Sequence, residues 1–178
     1  SKAELLALRR QITPHFLFNA LTSILYFIRT DAGRAYQLLT DLSEVFRSLL
    51  GSDEFVTLED ELQLVRSYLA LEQARLKERL TVSWQLEDSL DHTRLIPALI
   101  LQPLVENAIV HGIGPNPEGG RLTIGGRMVN GEMLLTVIDS GNHSGRPSRQ
   151  GAGVALANIR QRLAALYGDD YAPDLQQL

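Results

Sequence analysis

At Leu80 the hydrophobic rhythm of this chain changes, and the change limits the folds open to it. Upstream, apolar residues recur at spacings of three and four; from Leu80 on, Leu80, Val82, Trp84 and Leu86 alternate with Thr81, Ser83 and Gln85. One backbone cannot satisfy both periods, so a helical part precedes a part built on a sheet. The 178 residues are enough for one larger domain or two small ones. The change of period divides them into 1–79, helical, and 80–178, α+β.

Composition removes several classes. With 44% hydrophobic and 21% charged residues the chain has an ordinary soluble make-up, and a formal charge of -4 with scattered Lys and Arg offers no footprint for direct nucleic-acid binding. The absence of cysteine rules out disulfides and thiolate metal sites and fits a reducing compartment. The longest apolar region, Leu95 to Val110, is broken by Gln102, Glu106, Asn107 and two prolines, so it is no membrane span. No signal peptide is present, and an opening Ser-Lys-Ala without methionine suggests a piece of something longer.

In the helical part, Leu5, Leu8 and Ile12 keep one stripe, whereas from Phe16 to Ile28 apolar residues fall on every side of the wheel. Such a helix is covered on more than one face, as in a bundle or a dimer interface. A cleaner amphipathic helix carries Ala35, Leu38, Leu39, Leu42, Val45, Phe46, Leu49 and Leu50 and stops at Gly51. After a linker around Ser52 to Val56, Thr57 is an N-cap with acidic residues in the first turn, and Leu62, Val65, Leu69, Glu72 and Leu76 mark a third helix. Beyond the first strand, Pro97 is expected to start a helix running to His111, closed by Gly112 and the loop Gly114 to Gly120. Leu122 to Met128 and Met133 to Ile138 form a hairpin on Asn130-Gly131, a polar loop covers Asp139 to Gly151, and Leu156, Ile159, Leu163 and Leu166 belong to a last helix ending at Gly168.

Four stretches could carry chemistry. In LVENAIVH, Asn107 and His111 are four apart on one helical face with Glu106 beside them, so a carboxylate, an amide and an imidazole can border one cavity; Mg²⁺, which keeps waters and phosphates, needs little more than one such oxygen. Asp139-Ser140-Gly141 follows a hydrophobic strand, where an acid can accept from an exocyclic amine and glycine lets a flat ring approach; the same tripeptide is also a common turn. Gly151 and Gly153 open a helix whose bare N-H groups suit phosphate, with Arg146 and Arg149 upstream, although such glycines also occur without any ligand and no Walker lysine is present. Lastly, QITPHFLFNAL sets Pro14, His15 and Asn19 among Phe and Leu. A proline inside a helix costs about 3 kcal/mol and would bend the axis just before His15, turning the imidazole outward. The alternative is that Thr13 caps and Pro14 begins a fresh helix with a passive surface histidine.

Taken in order, QITPHFLFNAL, VTLEDELQLVRSYLALEQARLKERL, LILQPLVENAIVHGI, DSG and GAGVALANIRQRLAALYG closely resemble the LytS/YehU-type sensor histidine kinases over nearly the whole chain. The resemblance implies a histidine-bearing helical dimerisation region followed by a Bergerat-type (GHKL) ATPase domain, an α/β sandwich with helices on one face of a mixed sheet. It assigns His15 as phosphoacceptor, Glu106 and Asn107 to the asparagine box at Mg-ATP with Asn107 as the metal ligand, Asp139 and Gly141 to the adenine-binding glycine box, and Gly151 and Gly153 to the second glycine box. The chain departs from the pattern at Thr13, His143 and Ala155, where the family usually has Asn, Gly and Gly, and it stops about ten residues after Tyr167-Gly168, where the family continues through two more strands.

The reaction this resemblance implies is ATP-dependent phosphorylation of His15 and transfer to an aspartate on a response regulator of a two-component system. Mg²⁺ and backbone N-H groups would neutralise charge, Asn19 would orient the imidazole or a hydrolytic water, Glu106 would be a catalytic residue with His15 and Asn19, and His111 would border the nucleotide. The implied partners are a second copy of the chain, a receiver domain and an upstream membrane-anchored sensor, which makes this the cytoplasmic portion of a bacterial membrane protein. The alternatives are a noncatalytic dimeric relay with a degenerate nucleotide pocket, and a chaperone or topoisomerase ATPase fragment, which leaves QITPHFLFNAL unexplained.

Overall fold

A computed structural model describes residues 13–51, 53–141 and 152–168. Its class is α+β. The stripe Leu5, Leu8 and Ile12 lies outside the described residues, as do His143, Arg146, Arg149 and Gly151.

Helix α1 spans Pro14–Thr30. Thr13 is extended, with φ -69° and ψ 126°, and its carbonyl accepts from the Phe16 N-H at 3.0 Å. This corrects the expected kink. Pro14 sits where a helix has no use for the missing N-H, so it starts α1 instead of bending a longer helix. Asp31 closes α1 by donating its N-H to the Phe27 carbonyl at 2.7 Å, and its carboxylate accepts from the Arg34 N-H at 2.9 Å to open α2 (Ala32–Leu50). One residue thus makes a tight helical hairpin. Of the stripe its spacing foretells, α2 buries Ala35, Leu38, Leu42, Val45 and Leu49, whereas Leu39 and Leu50 are exposed.

The linker expected at Ser52 to Val56 holds a strand instead. β1 (Phe55–Thr57) runs antiparallel to β3 (Leu95–Pro97), with Val56 opposite Ile96. Thr57 then opens α3 (Leu58–Leu76) through a reciprocal capping box with Asp60. α3 is buried on several sides, packing against α1 and α2 and also toward the sheet.

Pro97 ends β3 and starts no helix. The residue before a proline is driven to extended backbone, and the chain then passes through a left-handed Leu99 (φ 57°) before α4 begins at Gln102. The helix-starting proline is Pro103, in the first turn. α4 (Gln102–Asn107) is α-helical for six residues and continues as a π-helical turn, Ala108–Ile113, whose closing bond runs from the Gly114 N-H to the Ile109 carbonyl at 2.7 Å. So short a helix is marginal by itself; it is held by Val105, Ile109 and Ile113, all fully buried, at about 1.5–3 kcal/mol each.

β2 (Leu80–Leu86) pairs parallel with β4 (Gly120–Val129), which pairs antiparallel with β5 (Glu132–Asp139), giving a mixed sheet of order β2-β4-β5. The parallel pair needs a long crossover, and the segment carrying α4 supplies it. The β4-β5 turn has Asn130 at φ 53° and Gly131 at φ 83°, the paired positive angles that fit strand twist. α5 (Ala152–Tyr167) comes next and stops at Gly168, φ 92°. One continuous apolar cluster runs from Phe16 through α2 and α3 to α4 and to Leu122 and Ile124 on β4.

Candidate functional site

His15 lies in the first turn of α1 and is exposed. Its orientation is set by its neighbour: Phe16 is buried and stacks on Tyr68 of α3, with ring centroids 4.9 Å apart and planes 23° from parallel. Burying Phe16 fixes the rotation of α1 and leaves the imidazole in solvent. Asn19, one turn on, places its Nδ2 3.2 Å from His15 Nδ1. In that arrangement the amide donates to Nδ1 and the neutral ring carries its proton on Nε2; turning the amide over makes Oδ1 accept from Nδ1-H and leaves the Nε2 lone pair outward. The contact that the spacing foretold is therefore able to select the tautomer.

On α4, Glu106 turns toward the helical part. It accepts a hydrogen bond from Gln102 Nε2 at 3.2 Å, and with Thr13, Phe16, Tyr68 and Gln102 it borders a cavity of about 10 Å³. Such a space holds about one water and no nucleotide. Burial raises the Glu106 carboxyl above its ordinary range, the Gln102 bond opposes this, and the nearby Glu72 carboxylate adds to the rise. Glu72 is itself buried and paired with Arg75, whose Nε donates at 3.1 Å and whose Nη2 makes a second contact. The Tyr68 phenol is pushed well above its ordinary value by burial, then by Glu72 and Glu106. Neither Asn107 nor His111 lines this cavity.

Asn107 is the last residue of the α-helical turns, and its Nδ2 is buried with no partner among the described residues. His111 sits four residues on, in the π turn and half-buried. π turns concentrate at functional sites because they displace side chains from regular helical positions. The turn brings Gly112 against Asp139: a Cβ on Gly112 would stand 2.5 Å from Asp139 Oδ1, and one on Gly141 would stand 2.6 Å from the Gly112 carbonyl. The Gly141 N-H donates to Asp139 Oδ1 at 3.0 Å, while Ser140 pins the turn to β4, its Oγ accepting from the Arg121 N-H at 2.8 Å. The Asp-Ser-Gly turn is thus a turn and also one wall of a close-packed cradle. Gly112 was legible only as a helix stop; the contact with Asp139 is what reveals its second role. Gly153 lies in the first turn of α5.

The donor set suits a metal nucleotide. The unpaired buried Nδ2 of Asn107 can donate to a phosphate oxygen and the Asp139 carboxylate can accept from a purine amine, while the space a Cβ would take at Gly112 and Gly141 is filled by Asp139 and by the Gly112 backbone, so these glycines let the turn pack closely on the π turn. Among the described residues no group of three or more His, Cys, Asp and Glu could hold a metal, so a cation here would take most of its oxygens from phosphate and water.

The histidine kinase family model matches residues 3–80. The chain is 40% identical over 172 residues to the sensor histidine kinase BtsS of Escherichia coli, covering 96% of this chain and 30% of that protein. It is 38% identical over 179 residues to the sensor protein LytS of Staphylococcus haemolyticus, covering 93% and 30%, and 38% identical over 180 residues to the sensor histidine kinase YpdA of Escherichia coli, covering 95% and 31%. The chain therefore spans about a third of the length of these relatives.

Proposed function

We propose, from the premise that this chain belongs to the LytS/YehU-type sensor histidine kinase family, that it is the kinase core of a two-component sensor. His15 takes the γ-phosphoryl group of ATP and passes it to an aspartate on a response regulator. The reading divides the chain at Leu80 into a dimerisation and phosphoacceptor region and an ATP-binding domain of the Bergerat type. The observation that carries it is the exposed His15 held by Asn19 on a helix whose rotation is fixed by buried Phe16.

In the transfer, the Nε2 lone pair of His15 forms the N-P bond as the bond between the γ-phosphorus and its bridging oxygen breaks and ADP leaves. With its amide turned over, Asn19 Oδ1 would accept the Nδ1-H and so keep Nε2 free for attack; the ring proton then passes to water, to which the side chain is exposed. Asn107 would hold Mg²⁺, which supplies charge neutralisation on the phosphates. Asp139 would accept from the purine amine, with Gly112 and Gly141 letting its turn pack closely on the π turn. Gly151 and Gly153 would offer backbone N-H groups to phosphate, and His111 would border the nucleotide. Glu106, facing α3, would act on the histidine side of the site, next to Phe16.

A homodimer is supported by α1 and α2. Phe18, Leu25 and Tyr36 are 69%, 66% and 74% exposed, and Ile24, Ile28, Ala35, Tyr36 and Leu39 line a depression of about 180 Å³ at the hairpin. No helix among the described residues is long and apolar enough to cross a membrane; on the kinase reading the chain works at the cytoplasmic face with a membrane-anchored sensor. Incubation with γ-labelled ATP tests the reading. Acid-labile, alkali-stable label on wild type, absent from His15→Gln and Asn107→Ala, is the expected result; no such label on the full-length protein would overturn it.

A further inference from the structure

The peptide unit joining Ala98 to Leu99 is held at both poles by charged side chains from different elements. Its N-H donates to Glu61 Oε2 of α3 at 2.9 Å, and its carbonyl accepts from Arg162 Nη1 of α5 at 2.8 Å. Glu61 is 2% exposed and also accepts from the Leu101 N-H at 2.8 Å and, at 3.3 Å, the Gln102 N-H. Arg162 is half-buried, and its Nη1 lies 3.5 Å from the Leu99 carbonyl as well. The turn is not relaxed: Leu99 has φ 57°, unfavourable for a side chain with a Cβ.

A carboxylate and a guanidinium that do not touch are thus joined through one amide, and each polarises that amide in the sense that strengthens the other bond. α4, with Asn107, leaves this turn directly, and α5, with Gly153 in its first turn, also carries Arg162. We infer that Arg162 is a positioning residue: through the Ala98-Leu99 peptide and Glu61 it fixes the glycine-box helix α5 against the helix that carries Asn107. The inference rests on the kinase reading for its ligand, while the latch itself does not.

The test uses the wild-type chain, Arg162→Ala and Arg162→Lys, which retains one donor. Amide exchange without nucleotide reads the latch. In Arg162→Ala, protection at Leu99, Leu101 and Gln102 should fall at least tenfold, with Arg162→Lys in between. Unchanged exchange overturns the inference whatever the chain binds. Mg-ATP affinity by titration calorimetry reads the positioning: Arg162→Ala should weaken it about tenfold while the melting temperature stays well above that of the assay, and Arg162→Lys should restore part of it. Equal affinity in wild type and Arg162→Ala overturns the positioning role. A wild type that binds no Mg-ATP overturns that role together with the kinase reading, and the exchange data separate the two failures.

Discussion

Replacing Glu61 with alanine tests how much of the nucleotide-side architecture hangs on one buried carboxylate. Its side chain accepts from Leu99 and Leu101 at 2.9 and 2.8 Å, and more weakly from Gln102 at 3.3 Å. Truncation strips partners from backbone donors in a site that is 2% exposed. Two good bonds to a charged acceptor at about 1.5–3 kcal/mol each give about 3–6 kcal/mol, to which loss of a negative charge at the α4 N-terminus adds up to about 1 kcal/mol. Water entering the vacated space offsets part of this, so about 4 kcal/mol is expected. For a chain of this size that corresponds to a fall of about 8–16 °C in melting temperature. Glu61→Gln, which keeps an acceptor but no charge, should lose about half as much. Urea unfolding at constant slope is the assay. A loss below about 1 kcal/mol for Glu61→Ala would refute the reasoning, since it would mean that the three N-H groups find other partners at no cost.

The remaining expectations concern the site and the dimer. Asn19→Ala should slow both phosphorylation of His15 and loss of the label by about fivefold, the worth of about 1 kcal/mol of hydrogen bonding; unchanged rates for both would remove Asn19 from the mechanism. Glu106→Gln should raise the melting temperature at pH 7 to 8. The raised carboxyl value means that the folded wild type gains a proton before the unfolded chain does, so wild-type stability recovers as pH falls through that value, and the advantage of the variant should shrink toward pH 4; a constant advantage would contradict the assigned cause. Gly112→Ala should keep the fold, because the added methyl meets the end of the Asp139 side chain, yet weaken adenine-nucleotide binding at least tenfold. Leu25→Glu, at an exposed apolar position of α1, should convert a dimer to a monomer in light scattering with little change in helix content.

The elements that the sequence displays openly are those whose signal is local. The Asn130-Gly131 hairpin needs only two residues with positive φ, and the Thr57-Asp60 cap needs only a hydroxyl three residues before an acid, so both stand where they were expected. The α2 stripe likewise needs one face. The elements that local patterns do not display depend on contacts distant in sequence. β1 and β3 are three-residue strands, and each becomes a strand only because the other lies opposite it about forty residues away. Pro97 and Pro103 look alike as helix starters; the difference is that Pro97 closes a ladder. His15, Asn19, Asn107 and Asp139 stand out as candidates by type and spacing, whereas nothing local to Glu61 or Arg162 marks them before their shared peptide is seen.

Both ends of the Asn107-bearing segment are tied to α3 and the turn after it. Glu61 takes the N-H groups at the start of α4, and Arg79 donates through Nη2 to the carbonyls of Gly114 and Asn116, each at 2.8 Å, just past the π turn. The charges match the helix ends they meet, negative at the N-terminus and positive at the C-terminus. A helix of 19 residues, α3 is about 28 Å long, against about 18 Å for the 12 residues from Gln102 to Ile113. The longer element therefore brackets the shorter one, and the same helix receives Phe16 on Tyr68. The change of period at Leu80 marks where a strand begins, but the contacts of α3 run to both sides of it. His15 and Asn107 are consequently both set against α3 and the turn after it: Phe16, next to His15, stacks on Tyr68, and the Asn107 segment is bracketed by Glu61 and Arg79.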